Sequence, residues 1–401
     1  MKTQASVATH PASGLYSRWR RLGLATLAIC FLLVFAAFAM SHPLHDFLEY
    51  WTSSHLLLSH KNPYSLPEMF HAQKARGWPE SVPLMLVCPP WTLPLLVPLG
   101  FARSYALSWL IWMAVLIAAL ALSSRLLMDI YFDDVRLPEI SDTAFHRSLF
   151  AFTFYPVLLC LKFAQTAPLI LLGLAGFLYF EKRQRPVLAG VLLSLTAVKP
   201  QLLFLIWIAL AIRSLHRHRW ITLVSAAGVI ALFSVTALLL DRHVFSQYVE
   251  LTRSPYLSIN PSGITAIVRR LLKGRETYWM QFAPPFFGVA WLAYYWRKHR
   301  GHWEWTERMP ALVTACVLTT AYGWVFDQAV LVVAVIAIAA RYARHEGRLP
   351  WNLVMMYTAL NCGLMLLMAV PPLTFIPAPV LLVFLLLREQ RRTTFREVAS
   401  A

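Results

Sequence analysis

Long apolar runs alternate with short basic stretches along nearly the whole chain, the pattern of membrane-embedded helices joined by tight loops. The first run covers residues 22–40. Its basic flank and Ala37-Phe38-Ala39 also fit a cleaved leader. The run is longer than a usual leader core, however, and the chain behind it is itself polytopic, so an uncleaved first helix is expected. Residues 41–83 are polar, mixed in charge and rich in His, Trp and Pro, and they read as interfacial helices of a first extracytoplasmic loop. The run 84–101 contains Pro89, Pro90, Pro94 and Pro98. Proline removes backbone donors and kinks helices, which predicts a re-entrant or interfacial hairpin here and no clean span. Residues 104–128 form the next span and return the chain to the cytoplasm.

With the N-terminus inside, the basic flanks set the parity of the later segments. Residues 150–180 form a hairpin with Lys162 and Gln165 at its tip. Residues 186–212 have basic runs at both ends, so they must go out and come back, turning at Lys199-Pro200-Gln201. Residues 219–240 lead out again, and 241–278 form a second extracytoplasmic loop. Further segments lie at about 279–296, 309–324, 328–342, 351–370 and 375–387. The expectation is one all-α integral membrane domain over residues 1–401, with about 12 transmembrane helices and the C-terminus inside. No inverted or parallel repeat and no soluble domain is visible.

Composition agrees with this pattern. The chain is 58% hydrophobic and only 14% charged, with a positive mean hydropathy. A soluble domain carries roughly a quarter charged residues. The net charge of +17 comes from short runs between apolar segments, such as 181–185, 213–219, 297–300 and 341–348, which is a positive-inside signature and not that of a nucleic-acid binder. The five cysteines (Cys30, Cys88, Cys160, Cys316 and Cys362) lie scattered in apolar stretches, and are expected as buried small hydrophobes with no disulfide or zinc spacing.

On this topology Asp46, Glu49, Lys162, Gln165, Lys199, Gln201 and Asp327 all fall near the outer membrane boundary. Ionisable residues at membrane depth are costly and usually face a cavity or a partner, so their gathering at one face suggests a site open to the outside. Each also has a plainer reading. Asp46 and Glu49 have the spacing of a helix capping box, a role compatible with catalysis because a second carboxylate oxygen stays free. Lys199 either snorkels to headgroups or binds a phosphate. Gln165 either satisfies backbone groups at the hairpin tip or binds a sugar hydroxyl or phosphate oxygen. Asp327 caps the following helix, or its aromatic neighbours wall a sugar site. Arg253 and Arg269-Arg270, in the second outer loop, contact anionic headgroups or a donor phosphate. Asn260-Pro261-Ser262 fails as a glycosylation acceptor because of its central proline. There is no Gly-rich nucleotide loop, nucleophile elbow or metal-ligand cluster, which argues against a soluble nucleotide-sugar donor.

The chain resembles glycosyltransferase family 87 (the DUF2029 group), polytopic GT-C fold enzymes that include polyprenyl-phosphate-mannose-dependent mannosyltransferases. The matching pieces are Asp46 to Trp51 followed by Asn62-Pro63-Tyr64, then Cys88-Pro89-Pro90 through Val97-Pro98-Leu99, Phe163-Ala164-Gln165, Val198-Lys199-Pro200-Gln201 and Trp324 to Gln328. The chain departs from the family at Ala164, where Gly often precedes the Gln, and at His60-Lys61-Asn62, where a Gly-containing segment is usual. The resemblance implies a GT-C fold in the inner (plasma) membrane with its site facing the periplasm or exterior. The donor would be a polyprenyl-phosphate sugar such as mannose, and the acceptor a hydroxyl of a glycolipid, glycan or protein. Asp46 would be the general base of an inverting transfer. Glu49, Tyr64, Lys162, Gln165, Lys199, Gln201, Arg253 and Asp327 would be substrate-binding candidates. No cofactor or metal is called for, since Lys and Arg can neutralise the phosphate, and no nucleic acid is implied. A transporter or lipid-linked-sugar flippase without chemistry is the competing reading. An assembly subunit fits the polar cluster less well.

Overall fold

The computed structural model describes residues 46–102, 104–133, 151–254, 256, 263–264, 275–346, 349–368 and 371–400. The first apolar run at 22–40, Cys30, the start of the first loop and the pair Arg269-Arg270 lie outside these. Every regular element among the described residues is helical. The stretch after the first run supplies α1 (Phe47–Leu58) and α2 (Leu66–Lys74), the latter opened by Ser65, whose side chain accepts the Glu68 N–H. An irregular segment, 79–89, comes next and is held by side chains reaching its backbone. Tyr64 donates to Cys88 O at 2.9 Å, Tyr256 to Pro83 O at 3.0 Å, and the Gln73 amide bonds both the N–H and the C=O of Leu84.

The prolines then do what their chemistry requires. Residues 84–101 form no long helix. They give a 3-10 turn (Pro90–Thr92), a single helical turn α3 (Leu93–Leu96) and another 3-10 turn (Val97–Phe101). After this broken hairpin comes α4 (Tyr105–Tyr131), the longest of the described helices, capped by Ser104.

Two hairpins come after α4. The first joins α5 (Tyr155–Lys162) to α6 (Ala167–Lys182); the second joins α7 (Pro186–Leu193), extended by a 3-10 turn (Ser194–Val198), to α8 (Phe204–Arg217). Small residues permit close packing between them. A Cβ on Gly173 of α6 would stand 2.7 Å from the Leu192 carbonyl oxygen. Next come α9 (Ile221–Leu240) and the amphipathic α10 (Val244–Arg253). The remainder is α11 (Ala283–His299), α12 (Trp305–Thr319), a 3-10 turn (Val325–Leu331) running into α13 (Val332–Glu346), α14 (Trp351–Leu367) and α15 (Pro377–Ser400).

Three helices among the described residues are long and apolar enough to cross a membrane unaided, and burial sorts them. The 325–346 helix is 94% buried and forms the centre of the bundle. α9 is only 11% buried and α4 33%, so their apolar surfaces face outward, where lipid is the compatible solvent. The rest of the apolar chain sits in shorter or broken helices, including 90–101, 186–198 and 351–367. Cys88, Cys160 and Cys316 are buried as expected, whereas Cys362 is exposed on α14.

Candidate active site

The connections between helices place the polar residues. α6 runs about 24 Å for its 16 residues, with the bend at Gln165 before its start and Lys182 at its far end. The turn at Lys199, the end of α12 and the start of the 325–346 helix meet at the Gln165 end: Thr320 donates to Gln201 O at 3.0 Å, and Lys199 reaches Asp327. α1 begins at this end with Asp46.

Five side chains from four segments form one continuous hydrogen-bonded network. Asp327 Oδ1 accepts from Lys199 Nζ at 2.6 Å, and its Oδ2 accepts the Trp324 N–H at 2.9 Å. Lys199 Nζ also donates to Gln165 Oε1 at 3.3 Å, and Tyr50 donates to the same oxygen at 2.8 Å. Gln165 Nε2 donates to Asp46 Oδ2 at 2.8 Å. Tyr50, Gln165 and Asp327 are buried, while Asp46, Glu49 and Lys199 keep part of their surface accessible. The three supports are thus more deeply buried than Asp46, Glu49 and Lys199.

The aromatic residues beside this network form its wall. The Lys199 ammonium lies 5.1 Å from the centre of the Phe326 ring. Phe326 stacks on Trp324 at 6.0 Å and packs against Phe163 at 6.1 Å. Trp324 donates to the Tyr322 hydroxyl at 3.3 Å and remains 38% exposed, so its indole stands at the rim.

Electrostatics follow from this burial. Desolvation raises the Asp46 carboxyl to about 6, against the Gln165 hydrogen bond and the Lys199 charge, which both favour the anion. Burial pushes Glu49 well above the ordinary carboxylate range, and the neighbouring Asp46 charge adds to it. Burial opposes the Lys199 charge, but Asp327 outweighs it and holds the ammonium protonated.

One local expectation is corrected. Asp46 and Glu49 do not form a capping box: Asp46 has helical φ and ψ (−54° and −18°), its side chain makes no cap bond, and the Glu49 N–H bonds the Asp46 carbonyl instead. An N-cap side chain needs a non-helical, usually extended, backbone to reach the first-turn donors. The Asp46 carboxylate is thus free for Gln165. Asp327 does contribute locally, as the third residue of its 3-10 turn bonding back to Trp324, and it carries the Lys199 pair as well.

The remaining candidates lie around this centre. Lys162 is buried at the end of α5 with its ammonium 5.4 Å from the Phe163 ring. The Tyr64 hydroxyl is committed to Cys88 O, and its ring packs edge-on against Tyr248. Gln201 contributes its backbone carbonyl to Thr320. Arg253 is exposed at the end of α10. Tyr50 and Gln73 are structural contributors that no local spacing announces. No group of three His, Cys, Asp or Glu side chains among the described residues is arranged to hold a metal ion.

The family model for glycosyltransferase family 87 matches residues 86–371, well over half of the chain. Gln165, Lys199, Gln201 and Asp327 fall inside the matched region, and Asp46 and Glu49 precede it. No curated protein and no solved structure matches the chain.

Proposed function

The chain belongs to glycosyltransferase family 87, and from that premise we propose that it transfers a sugar from a polyprenyl-phosphate donor to an acceptor hydroxyl, with Asp46 as general base. The family and the apolar helices make it a membrane glycosyltransferase. The donor, the base, the stereochemistry and the membrane face are our reading.

One observation carries the reading. A part-accessible carboxylate with its pKa near 6 stands at the rim of a buried polar chain that also holds a cation. A general base works best with a pKa close to the working pH, and Asp46 is largely ionised at neutrality yet basic enough to take a proton. The acceptor oxygen attacks the anomeric carbon as its proton passes to Asp46. The bond from that carbon to the phosphate oxygen breaks, and polyprenyl phosphate leaves with inversion at the sugar. An ammonium has three N–H donors; Asp327 and Gln165 engage two of those on Lys199, and the third is available to a leaving phosphate oxygen. Trp324, exposed at the rim and backed by Phe326, offers a flat apolar face to a sugar ring.

The opposite end of the bundle carries the basic runs, which supports an extracytoplasmic site in the inner (plasma) membrane. The acceptor class is a glycolipid, glycan or protein hydroxyl. The test is incubation of the purified protein with a panel of polyprenyl-phosphate sugars, reading release of polyprenyl phosphate. Asp46→Asn is expected to lower transfer by about 10²–10⁴-fold while the protein folds and binds donor as before. Transfer at the native rate in that variant would refute the assignment.

A further inference from the structure

Gln165 is bonded at both ends of its amide, and the identity of its partners leaves the amide only one orientation. Lys199 can donate but never accept, so the amide atom facing it at 3.3 Å must be the oxygen. Tyr50 fills the second lone pair of that oxygen at 2.8 Å. The nitrogen therefore faces Asp46. An amide nitrogen only donates, so Asp46 Oδ2, 2.8 Å away, must be a bare acceptor. A proton arriving at Asp46 has one place to go, the other oxygen.

We propose that Gln165 is a positioning residue which pins Asp46 through Oδ2 and leaves Oδ1 as the atom that accepts the acceptor's proton. This rests on the reading of Asp46 as the base. It assigns Gln165 a role through Asp46, since its oxygen is filled by Lys199 and Tyr50 and one of its two N–H groups is given to Asp46.

The backbone of Gln165 is held as firmly as its side chain. Ala164 takes a left-handed conformation at φ +53° to make the bend, the Gln165 N–H bonds Cys160 O at 2.9 Å, and Trp112 donates to Ala164 O at 2.7 Å. Gln165 is 4% exposed, so water competes poorly for its hydrogen bonds. The Lys199 charge on Oε1 polarises the amide and strengthens N–H donation to Asp46. In this way the Asp327–Lys199 pair, two links away, bears on the carboxylate. Lys199 is the charge that favours the Asp46 anion, and Glu49, Tyr50, Cys160 and Tyr256 are the titratable groups close enough to feel the Asp46 charge. Gln165 is the neutral one that touches it.

The test uses the full chain in lipid nanodiscs and reads the Asp46 carboxyl band by infrared difference titration, with the band assigned by its loss in Asp46→Asn. Gln165→Met keeps the side-chain length and removes both ends of the amide. Its donation stabilises the anion, so its loss should move the Asp46 midpoint up by about one to two pH units. The acid limb of transfer should move with it, with the donor KM unchanged. Tyr50→Phe removes one donor to Oε1 at constant shape and should move the midpoint the same way by a fraction of a unit. It carries the test if Gln165→Met does not fold. Midpoints that stay put in the folded variants overturn the proposal, as does a raised donor KM with an unmoved acid limb, which would make Gln165 a substrate ligand. Native transfer by Asp46→Asn instead defeats the base reading, and the infrared midpoint then still reports whether Gln165 governs Asp46.

Discussion

The two ends of the helix bundle handle charge in opposite ways. At the end where Asp46, Gln165, Lys199 and Asp327 meet, charged groups are few, largely buried and bonded to one another across long sequence separations. At the other end they are many and mostly exposed, although the pairs Arg213–Glu181 and Arg341–Glu389 are part-buried. Lys182, Arg217, Arg297, Lys298 and Arg344 sit in the last turns of α6, α8, α11 and α13, where a cation meets the negative end of the helix dipole. Lys182 pairs with Asp133 at 3.7 Å with side-chain exposures of 41% and 74%. A layer of aromatic rings, Trp296, Trp303 and Trp305 among them, packs beneath these helix ends. The basic end obeys rules of topology and helix termini that hold for any polytopic protein. The site end holds the most deeply buried ion pair among the described residues, and we place the proposed chemistry there because ionisable groups at membrane depth usually face a cavity or a partner.

The strongest way to break this contrast is to remove one partner from each end. Asp327→Asn leaves the Lys199 ammonium, 13% exposed, without its counter-charge. Loss of one member of a buried pair costs about 3–5 kcal/mol. Asp133→Asn at the exposed end should change stability by less than about 1 kcal/mol. Denaturant unfolding in detergent measures both. Adding Lys199→Met to Asp327→Leu should recover most of the lost stability and none of the transfer, because an apolar pair fills the space without a buried charge. Equal costs at the two ends would show that the buried pair is solvated like the exposed one.

A second, smaller effect separates function from stability at Asp46. Its carboxyl titrates at about 6 in the folded protein against 3.8 as its ordinary value, so between those values the folded state binds more protons than the unfolded one. Stability must then fall as pH rises from about 4 to about 6, and stay at the lower level above that. Asp46→Asn removes the penalty. The variant should match the native protein below pH 4 and exceed it by up to about 3 kcal/mol at pH 8, the ceiling set by the shift. Glu49 remains in both proteins. A variant less stable than the native chain at pH 8 would mean that the carboxylate is a structural asset and not a strained one.

The spacing of basic runs made the parity of the hairpins legible, and with it the meeting of Gln165, Lys199 and Asp327 at one end, because loop charge records which ends of the helices lie together. The broken character of 84–101 was equally legible, since proline acts on its own backbone. Pairing across the bundle was not. Tyr50 and Gln165 are 115 residues apart, and nothing local to either predicts that bond. The spacing of Asp46 and Glu49 suggests a capping box because the pattern cannot report the φ and ψ that decide it. Tyr64 and Gln201 stand out by residue type, yet the Tyr64 hydroxyl and the Gln201 carbonyl are engaged with other parts of the chain. Gln73 shows the converse: an unremarkable position whose amide fixes the irregular segment at Leu84.

The finest distinction between the two ends lies in a conformation they share. Ala164 at the site end and Gln184 at the basic end both have left-handed backbones, φ +53° and +56°. An L-residue in that region costs about 1–2 kcal/mol that glycine does not, and glycine returns roughly half of the gain as unfolded-state entropy. Gln184 is exposed just past the end of α6, so its side chain has little packing to lose, and Gln184→Gly should stabilise by about 0.5–1 kcal/mol. Ala164 is fully buried, and its methyl contacts, near 0.8 kcal/mol for a group of that size, offset the relief. Ala164→Gly should therefore be close to neutral in unfolding experiments and leave transfer intact, since Gln165 keeps its bonds to Cys160, Tyr50 and Lys199. A gain at 164 as large as that at 184 would show that the buried methyl is loosely packed. A loss of transfer at unchanged stability would show that the rigidity of this one residue, and not its bonds alone, aims the glutamine at Asp46.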